Sequence, residues 1–276
     1  MPSIARFMSA KRGIVHIMNA KDPTSGAQVV GRIASLLRAL SGCMPEGAGT
    51  SELARQAGIT RPTAHRLLSS LTTQGFVDRD QASGAWLLGP ELYLMGAVAA
   101  ERYDISELAR EHVAALADAT GESAFLSAKR GTETVCLLRR DGSFPIRSFV
   151  LYEGKRFPLG VASAGIAILS FMPGDQVDAY LRDHPLDHEH GAAHAELAVR
   201  ERIAETRARG YAVNPGLVVE GSWGMGAAVF DQSGAPAWAL SLTGIEPRFS
   251  PERQPELGRL LLEHAHRLTQ ALAGVR

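Results

Sequence analysis

The sequence predicts an α+β protein of two domains: an N-terminal winged helix-turn-helix, a linker helix, and a larger C-terminal α/β domain. Three observations predict it. At 276 residues the chain has room for about two domains of roughly 100–200 residues each. Between Thr50 and Leu88, two short helical patterns flank Gly58 and are followed by two brief extended runs around a polar turn. Beyond Ile105 the texture changes to strand-like runs that pair through hairpins, with helices beside them.

Composition is ordinary for a chain that buries a core, 45% apolar and 21% charged. No unbroken apolar run reaches the ~18 residues that a spanning helix needs, and the first residues lack the apolar stretch of a signal peptide, so no membrane partner is expected. Cys43 and Cys136 lie far apart without metal-like spacing, which suits a cytoplasmic, reducing location. A formal net charge of zero counts against nucleic-acid binding unless basic groups gather locally.

In chain order, residues 1–27 show no sustained periodicity, carry Arg6, Lys11, Arg12 and Lys21, and read as a flexible tail with Met8 and Met18 as alternative starts. The first domain spans 28–90. Its first helix begins near Val29 and is marked by Val30, Ile33, Leu36, Leu37 and Leu40 at helical spacing. Thr50 or Ser51 then caps a short helix, Glu52 to Ala57. Thr60 caps a third, with Pro62 in its first turn, an inward stripe of Ala64, Leu67, Leu68 and Leu71, and Gly75 as its stop. Phe76–Arg79 and Ala85–Leu88 form the hairpin, and Glu91 to Arg102, within a linker of 91–104, connects to the second domain, 105–276. There the pattern gives a helix from Ile105 to before Gly121, strands at Ser123–Ala128, Thr134–Arg139 and Phe149–Tyr152, and a small-residue helix, Ala162–Phe171. A helix at Glu196–Arg209 follows, then strands at Tyr211–Val213, Met225–Phe230 and Ala237–Leu242, and a last helix opened by Ser250-Pro251.

The segment Thr50 to Arg79 carries the chemistry. Helix, glycine turn and helix is the layout in which the second helix offers polar groups from its N-terminal end to base edges. Its outer positions are Arg61, Thr63, His65, Arg66, Ser69 and Ser70, and no acid occurs from Ile59 to Phe76. Arginine grips guanine or phosphate, and hydroxyls do either more weakly. The DNA-binding set is Arg32, Ser51, Thr60, Arg61, Thr63, His65, Arg66, Ser69 and Arg79, the last on the wing. The alternative is a plain three-helix subdomain whose polar face is merely solvated.

Ser51-Glu52-Leu53-Ala54-Arg55-Gln56-Ala57-Gly58-Ile59, His65-Arg66-Leu67-Leu68-Ser69-Ser70-Leu71 and Gly75-Phe76-Val77 resemble the IclR family of transcription regulators. So do Glu153-Gly154, Pro158-Leu159, Arg209-Gly210-Tyr211-Ala212-Val213-Asn214 and Val229-Phe230-Asp231, so the resemblance runs over about residues 28–273. It implies a GAF-like sensor domain, a homodimer or homotetramer acting on a near-palindromic double-stranded operator, and control by a small organic effector from a catabolic pathway, with repression in some members and activation in others. Carried over by position, it implies effector contacts at Ser163, Ala164, Asn214, Gly224, Ser241 and Thr243. The chain departs from the family pattern in having Asn214 for Asp or Ser, Leu217 for Glu, Gly224 for Cys, Ser or Ala, and Ile166 for Lys. Those departures remove charge and add room, which points to an aromatic or other apolar organic acid with its carboxylate at Ser163-Ala164. Small residues at a helix N-terminus suit that role, because backbone N–H groups there favour an anion.

Rival readings are weaker. His188, His190 and His194 fit no metal-ligand spacing. Ser163 and Ser222 sit in no Gly-x-Ser-x-Gly elbow, and no phosphate-binding or dinucleotide fingerprint is present, so neither catalytic residues nor cofactors are expected. A DNA-binding oligomer without a ligand is the second reading and an esterase-like hydrolase the third.

Overall fold

The computed structural model describes residues 25–100 and 105–274. These fall into two compact units, one up to Ala100 and one from Ile105. Most of the tail assigned to 1–27, and the end of the linker at 101–104, lie outside the described residues.

The first unit opens with α1 (Ser25–Ser41), four residues earlier than the apolar spacing suggests. Leu36 and Leu40 are fully buried, whereas Val30 is 67% exposed, so the buried stripe starts at Ile33. Helices α2 (Thr50–Gln56) and α3 (Arg61–Thr73) follow. The turn between them closes with Gly58 N–H to the Arg55 carbonyl at 3.3 Å and Ile59 N–H to the Ala54 carbonyl at 3.0 Å. That double closure requires a left-handed residue, which Gly58 supplies at φ +65°. The same device ends α3, where Gly75 N–H meets the Thr72 carbonyl and Phe76 N–H the Leu71 carbonyl, each at 3.0 Å. Leu53, Ala54, Ala64, Leu68 and Leu71 pack with Leu36 and Leu40. Strands β1 (Val77–Arg79) and β2 (Trp86–Leu88) form the antiparallel hairpin. Its turn is bound by the Asp80 carboxylate, which accepts the Ser83 N–H at 2.9 Å and the Ser83 hydroxyl.

The expected N-cap of α2 is corrected. Gly49, not Thr50 or Ser51, precedes the helix, and no side chain bonds back to its first amides. The Thr50 hydroxyl instead accepts the Trp86 indole N–H at 2.8 Å. Helix α4 (Pro90–Ala100) carries Tyr93, Leu94, Met95 and Val98 exposed, 77% for Tyr93 and 71% for Val98.

In the second unit, β3 (Ser123–Arg130), β4 (Glu133–Arg140), β5 (Arg156–Pro158), β6 (Ala212–Pro215), β7 (Ser222–Phe230) and β8 (Pro236–Ile245) form one sheet in the order β5-β4-β3-β8-β7-β6. All its neighbours are antiparallel. Period-2 alternation decides its two cores. Ala124, Leu126, Met225, Ala227, Leu240 and Leu242 pack on one side with Val113 and Leu116 of α5 (Ile105–Thr120) and Leu257 and Leu261 of α10 (Gln254–Gly274). Phe125 and Ala239 share the other core with α6 (Ser163–Ser170), α7 (Gly174–Asp183) and α9 (Glu196–Arg209). This is the sheet-and-helix α+β architecture expected of a GAF-like domain.

Two expectations fail here. Phe149–Tyr152 is not a strand; the sheet edge is β5, which pairs with β4 at Glu133–Val135. The last helix begins at Gln254, not at Ser250. The segment that holds His188, His190 and His194 forms the short α8 (Asp187–His190) and a 3₁₀ turn at Ala192–His194, with His194 buried.

Candidate functional site

Two surfaces offer recognition chemistry. On the first unit, burying Ala64, Leu68 and Leu71 turns the opposite face of α3 outward. Thr60, Arg61, His65 and Arg66 are exposed there, as are Ser51 on α2 and Arg79 on β1, while Thr63, Ser69 and Arg32 are half-buried. Thr60 precedes the helix in extended backbone, but its hydroxyl pairs with that of Thr63 at 2.9 Å rather than capping an amide. Arg55, the basic residue of α2, is paired with Glu52 at 2.5 Å, so on α3 the positive charge is carried by Arg61 and Arg66.

On the second unit, a narrow cavity of about 40 Å³ lies between the sheet and the start of α6. Ser163, Ala164, Asn214, Gly224, Ser241 and Thr243 all line it. Sheet register brings these distant positions together. Asn214 pairs with Gly224 and Gly224 with Thr243 across β6-β7-β8, and Ser241 pairs with Gly226 one step along. Helix α6 crosses this row closely: a methyl at Gly226 would stand 3.1 Å from the Ser163 carbonyl group, and one at Gly224 would stand 3.2 Å from the Ser163 hydroxyl. Glycine at both lets the helix start pack closely on the sheet, where even a methyl group would make a tight contact.

The first intrahelical bond of α6 is Ile166 N–H to the Ala162 carbonyl at 3.0 Å. The amides of Ser163, Ala164 and Gly165 therefore have no acceptor within the helix, and no side chain caps them. Among the described residues, the Ser241 hydroxyl, 0% exposed, and the Thr243 hydroxyl have no hydrogen-bond partner. Among the described residues, no charged one lines the cavity; its other walls include Ser127, Thr134, Val150, Leu151, Phe157, Ser222 and Trp223. Asn214 is largely engaged in structure, its Nδ2 donating to the Val161 carbonyl at 2.8 Å and its Oδ1 accepting Leu217 N–H at 2.9 Å. His194 approaches the same Val161 carbonyl at 3.4 Å, and burial holds its pKa below the ordinary histidine value.

Of the departures noted from sequence, Asn214 and Gly224 line the cavity, whereas Ile166 and Leu217 do not. Ile166 is buried in the core. Sequence spacing also missed Val150 and Leu151, which reach the cavity from an irregular segment, and Trp86, whose neighbours lie on three separate elements. Among the described residues, no three His, Cys, Asp or Glu side chains gather as metal ligands.

A helix-turn-helix with a wing, joined in sequence to a hollow α/β domain, defines a DNA-binding regulator class. The profile of the IclR helix-turn-helix domain matches residues 29–81, and that of the bacterial transcriptional regulator IclR C-terminal domain matches 97–270. The chain belongs to the IclR family, whose members are DNA-binding transcriptional regulators and not enzymes. It is 27% identical over 274 residues to the acetate operon repressor of Salmonella typhimurium, covering 97% of this chain and 98% of that one. It is 28% identical over 223 residues to the regulator KipR of Bacillus subtilis, covering 80% of this chain and 88% of the relative. The crystal structure of an IclR homologue of Microbacterium hydrocarbonoxydans, complexed with 4-hydroxybenzoate, has the same fold: TM-score 0.73, 19% identity, 90% of this chain and 100% of that one covered.

Proposed function

We propose that this regulator binds a near-palindromic operator as a homodimer or a pair of dimers, and that a small organic acid in the cavity at α6 controls its affinity for DNA. Residues 28–90 serve as the DNA-binding domain, 91–104 as the linker and 105–276 as the effector domain. Helix α3 enters a major groove through Arg61, Arg66 and the hydroxyls of its first turn, with Arg79 on the flanking backbone. Two subunits reach half-sites about one or two helical turns apart. The apolar residues of α4 support pairing, since an exposed patch of this kind marks an interaction surface.

The observation that carries the effector assignment is the buried, unbonded Ser241 hydroxyl facing uncapped helix amides. Donors left unmet in a closed space cost stability until a ligand meets them. Uncharged walls and a positive helix end select a small carboxylate held by neutral donors. Ligand pockets typically offer about 300–1,000 Å³, so an aromatic acid enters only as the cavity enlarges. The bound acid changes DNA affinity only by favouring one of two arrangements over the other.

Thermal unfolding of the full chain with 4-hydroxybenzoate and with acetate tests this. A rise with the aromatic acid that vanishes in Ser241→Ala supports the assignment. Preference for acetate overturns the aromatic class, and no rise across a wide panel of organic acids favours the second reading, an oligomer without an effector.

A further inference from the structure

One buried side chain joins α3 to the wing. Trp86, 2% exposed, stands on β2. Its backbone exchanges hydrogen bonds with Ala48 ahead of α2, Trp86 N–H to the Ala48 carbonyl at 2.9 Å and the reverse at 3.2 Å. Its indole N–H donates to the Thr50 hydroxyl at 2.8 Å. Across the hairpin it faces Arg79, whose guanidinium lies over the ring, 5.1 Å from its centroid. From α3, the His65 ring meets it edge-on with centroids 6.1 Å apart. A side chain at Gly47 would collide with the Trp86 carbonyl, so the loop is closed down on this residue.

We propose that Trp86 is a positioning residue for DNA binding: a platform that holds Arg79 of the wing and His65 of α3 as one unit, so that groove reading and wing contact are coupled. An arginine on a three-residue strand loses side-chain freedom when it settles on a phosphate. One already resting on an aromatic face has less left to lose. The hydrogen bond to Thr50 fixes the rotation of the ring, and with it the direction from which Arg79 and His65 leave it. A leucine would fill part of the volume and offer neither face nor edge, whereas phenylalanine keeps both and loses the bond to Thr50.

This rests on the assignment of α3 and the wing to DNA, so the test separates the two. The probe is a duplex enriched by the wild-type chain from a randomised pool, with affinity measured across a salt series. Arg79→Gln lowers affinity and reduces the salt slope by about one. In the Trp86→Leu background affinity is already several-fold lower, and adding Arg79→Gln or His65→Gln changes it by less than about twofold, the scatter of non-interacting sites. Trp86→Phe retains most of the response to Arg79→Gln, a rescue that lost folding would not give. Should Trp86→Leu fail to fold by circular dichroism, the double variant His65→Gln with Arg79→Gln carries the test. Combined losses smaller than the product of the single losses support coupling, and losses that multiply overturn it. If Arg66→Ala leaves affinity unchanged, the assignment of α3 falls; if Arg66→Ala weakens binding while the Trp86 coupling is absent, only the platform falls.

Discussion

Helices α3 and α6 begin alike and are placed oppositely. Each follows an extended residue, Thr60 or Ala162, and in neither does a side chain bond back to the first amides. Each therefore presents free N–H groups and the positive end of a helix dipole. The start of α3 is open to solvent beside Arg61 and Arg66. The start of α6 is buried along its whole length, pressed onto two glycines and ringed by hydroxyls. The same anion-seeking element takes its partner from its surroundings. Open and cationic, it suits a long hydrated polyanion; closed and uncharged, it suits one small carboxylate that sheds its water.

That contrast can be broken at either end. The largest expected effect is on the anchor of α3: Leu68→Ala, at a fully buried position, lowers stability by about 2–5 kcal/mol in urea denaturation, and a loss below ~1 kcal/mol would mean that this face is not the anchored one. Next, Gly226→Val forces bulk between β7 and α6, lowering stability by about 1–3 kcal/mol and abolishing any thermal shift from an organic acid. On the open side, Arg61→Ala and Arg66→Ala each weaken operator binding by about 1–3 kcal/mol where the side chain reaches a base, or evenly across sequences where it meets phosphate, as gel shifts on matched and mismatched duplexes would show. Ser241→Ala has the smallest effect on the ligand-free protein, within about 1 kcal/mol and of either sign, because the hydroxyl it removes has no partner to lose; it still erases the acid-induced shift.

Acid sensitivity separates the units as well. His112 of α5 and His264 of α10 meet Nδ1 to Nδ1 at 3.0 Å, and burial is the leading cause that lowers both pKa values, as it is for His194. A histidine whose folded pKa lies below its unfolded value of about 6.5 binds fewer protons folded than unfolded. Stability is therefore flat above that pH and declines as pH falls from about 6.5 toward the folded values. Scanning calorimetry near pH 7.5 and pH 5.5 should show this decline in the second unit, and His112→Asn with His264→Asn should lessen it, the remainder coming from His190 and His194.

What the sequence made legible follows from how local each feature is. Gly58 and Gly75 mark their turns because a left-handed residue is a local demand, and Leu68 and Leu71 mark α3 because helical spacing is local too. The hairpin and most strands were legible from alternation. Phe149–Tyr152 misled because an apolar run looks alike whether it pairs in a sheet or lines a cavity; here Val150 and Leu151 do the latter. The cap of α2 misled because Thr50 spends its hydroxyl on Trp86, 36 residues away. The six cavity positions came from family resemblance and not from spacing, since only the register of β6, β7 and β8 brings Asn214, Gly224 and Thr243 into one row.

The two cysteines differ in a way that helps whoever handles the protein. Cys136 is 2% exposed, and burial pushes its thiol up to about 12, so it offers almost no thiolate to an alkylating or oxidising reagent. Cys43 is partly exposed just after α1, its sulfur near the Gln56 amide at 3.7 Å. A maleimide dye should therefore attach at Cys43 alone, on the DNA-binding unit, turning the unmodified sequence into a singly labelled reporter of DNA engagement.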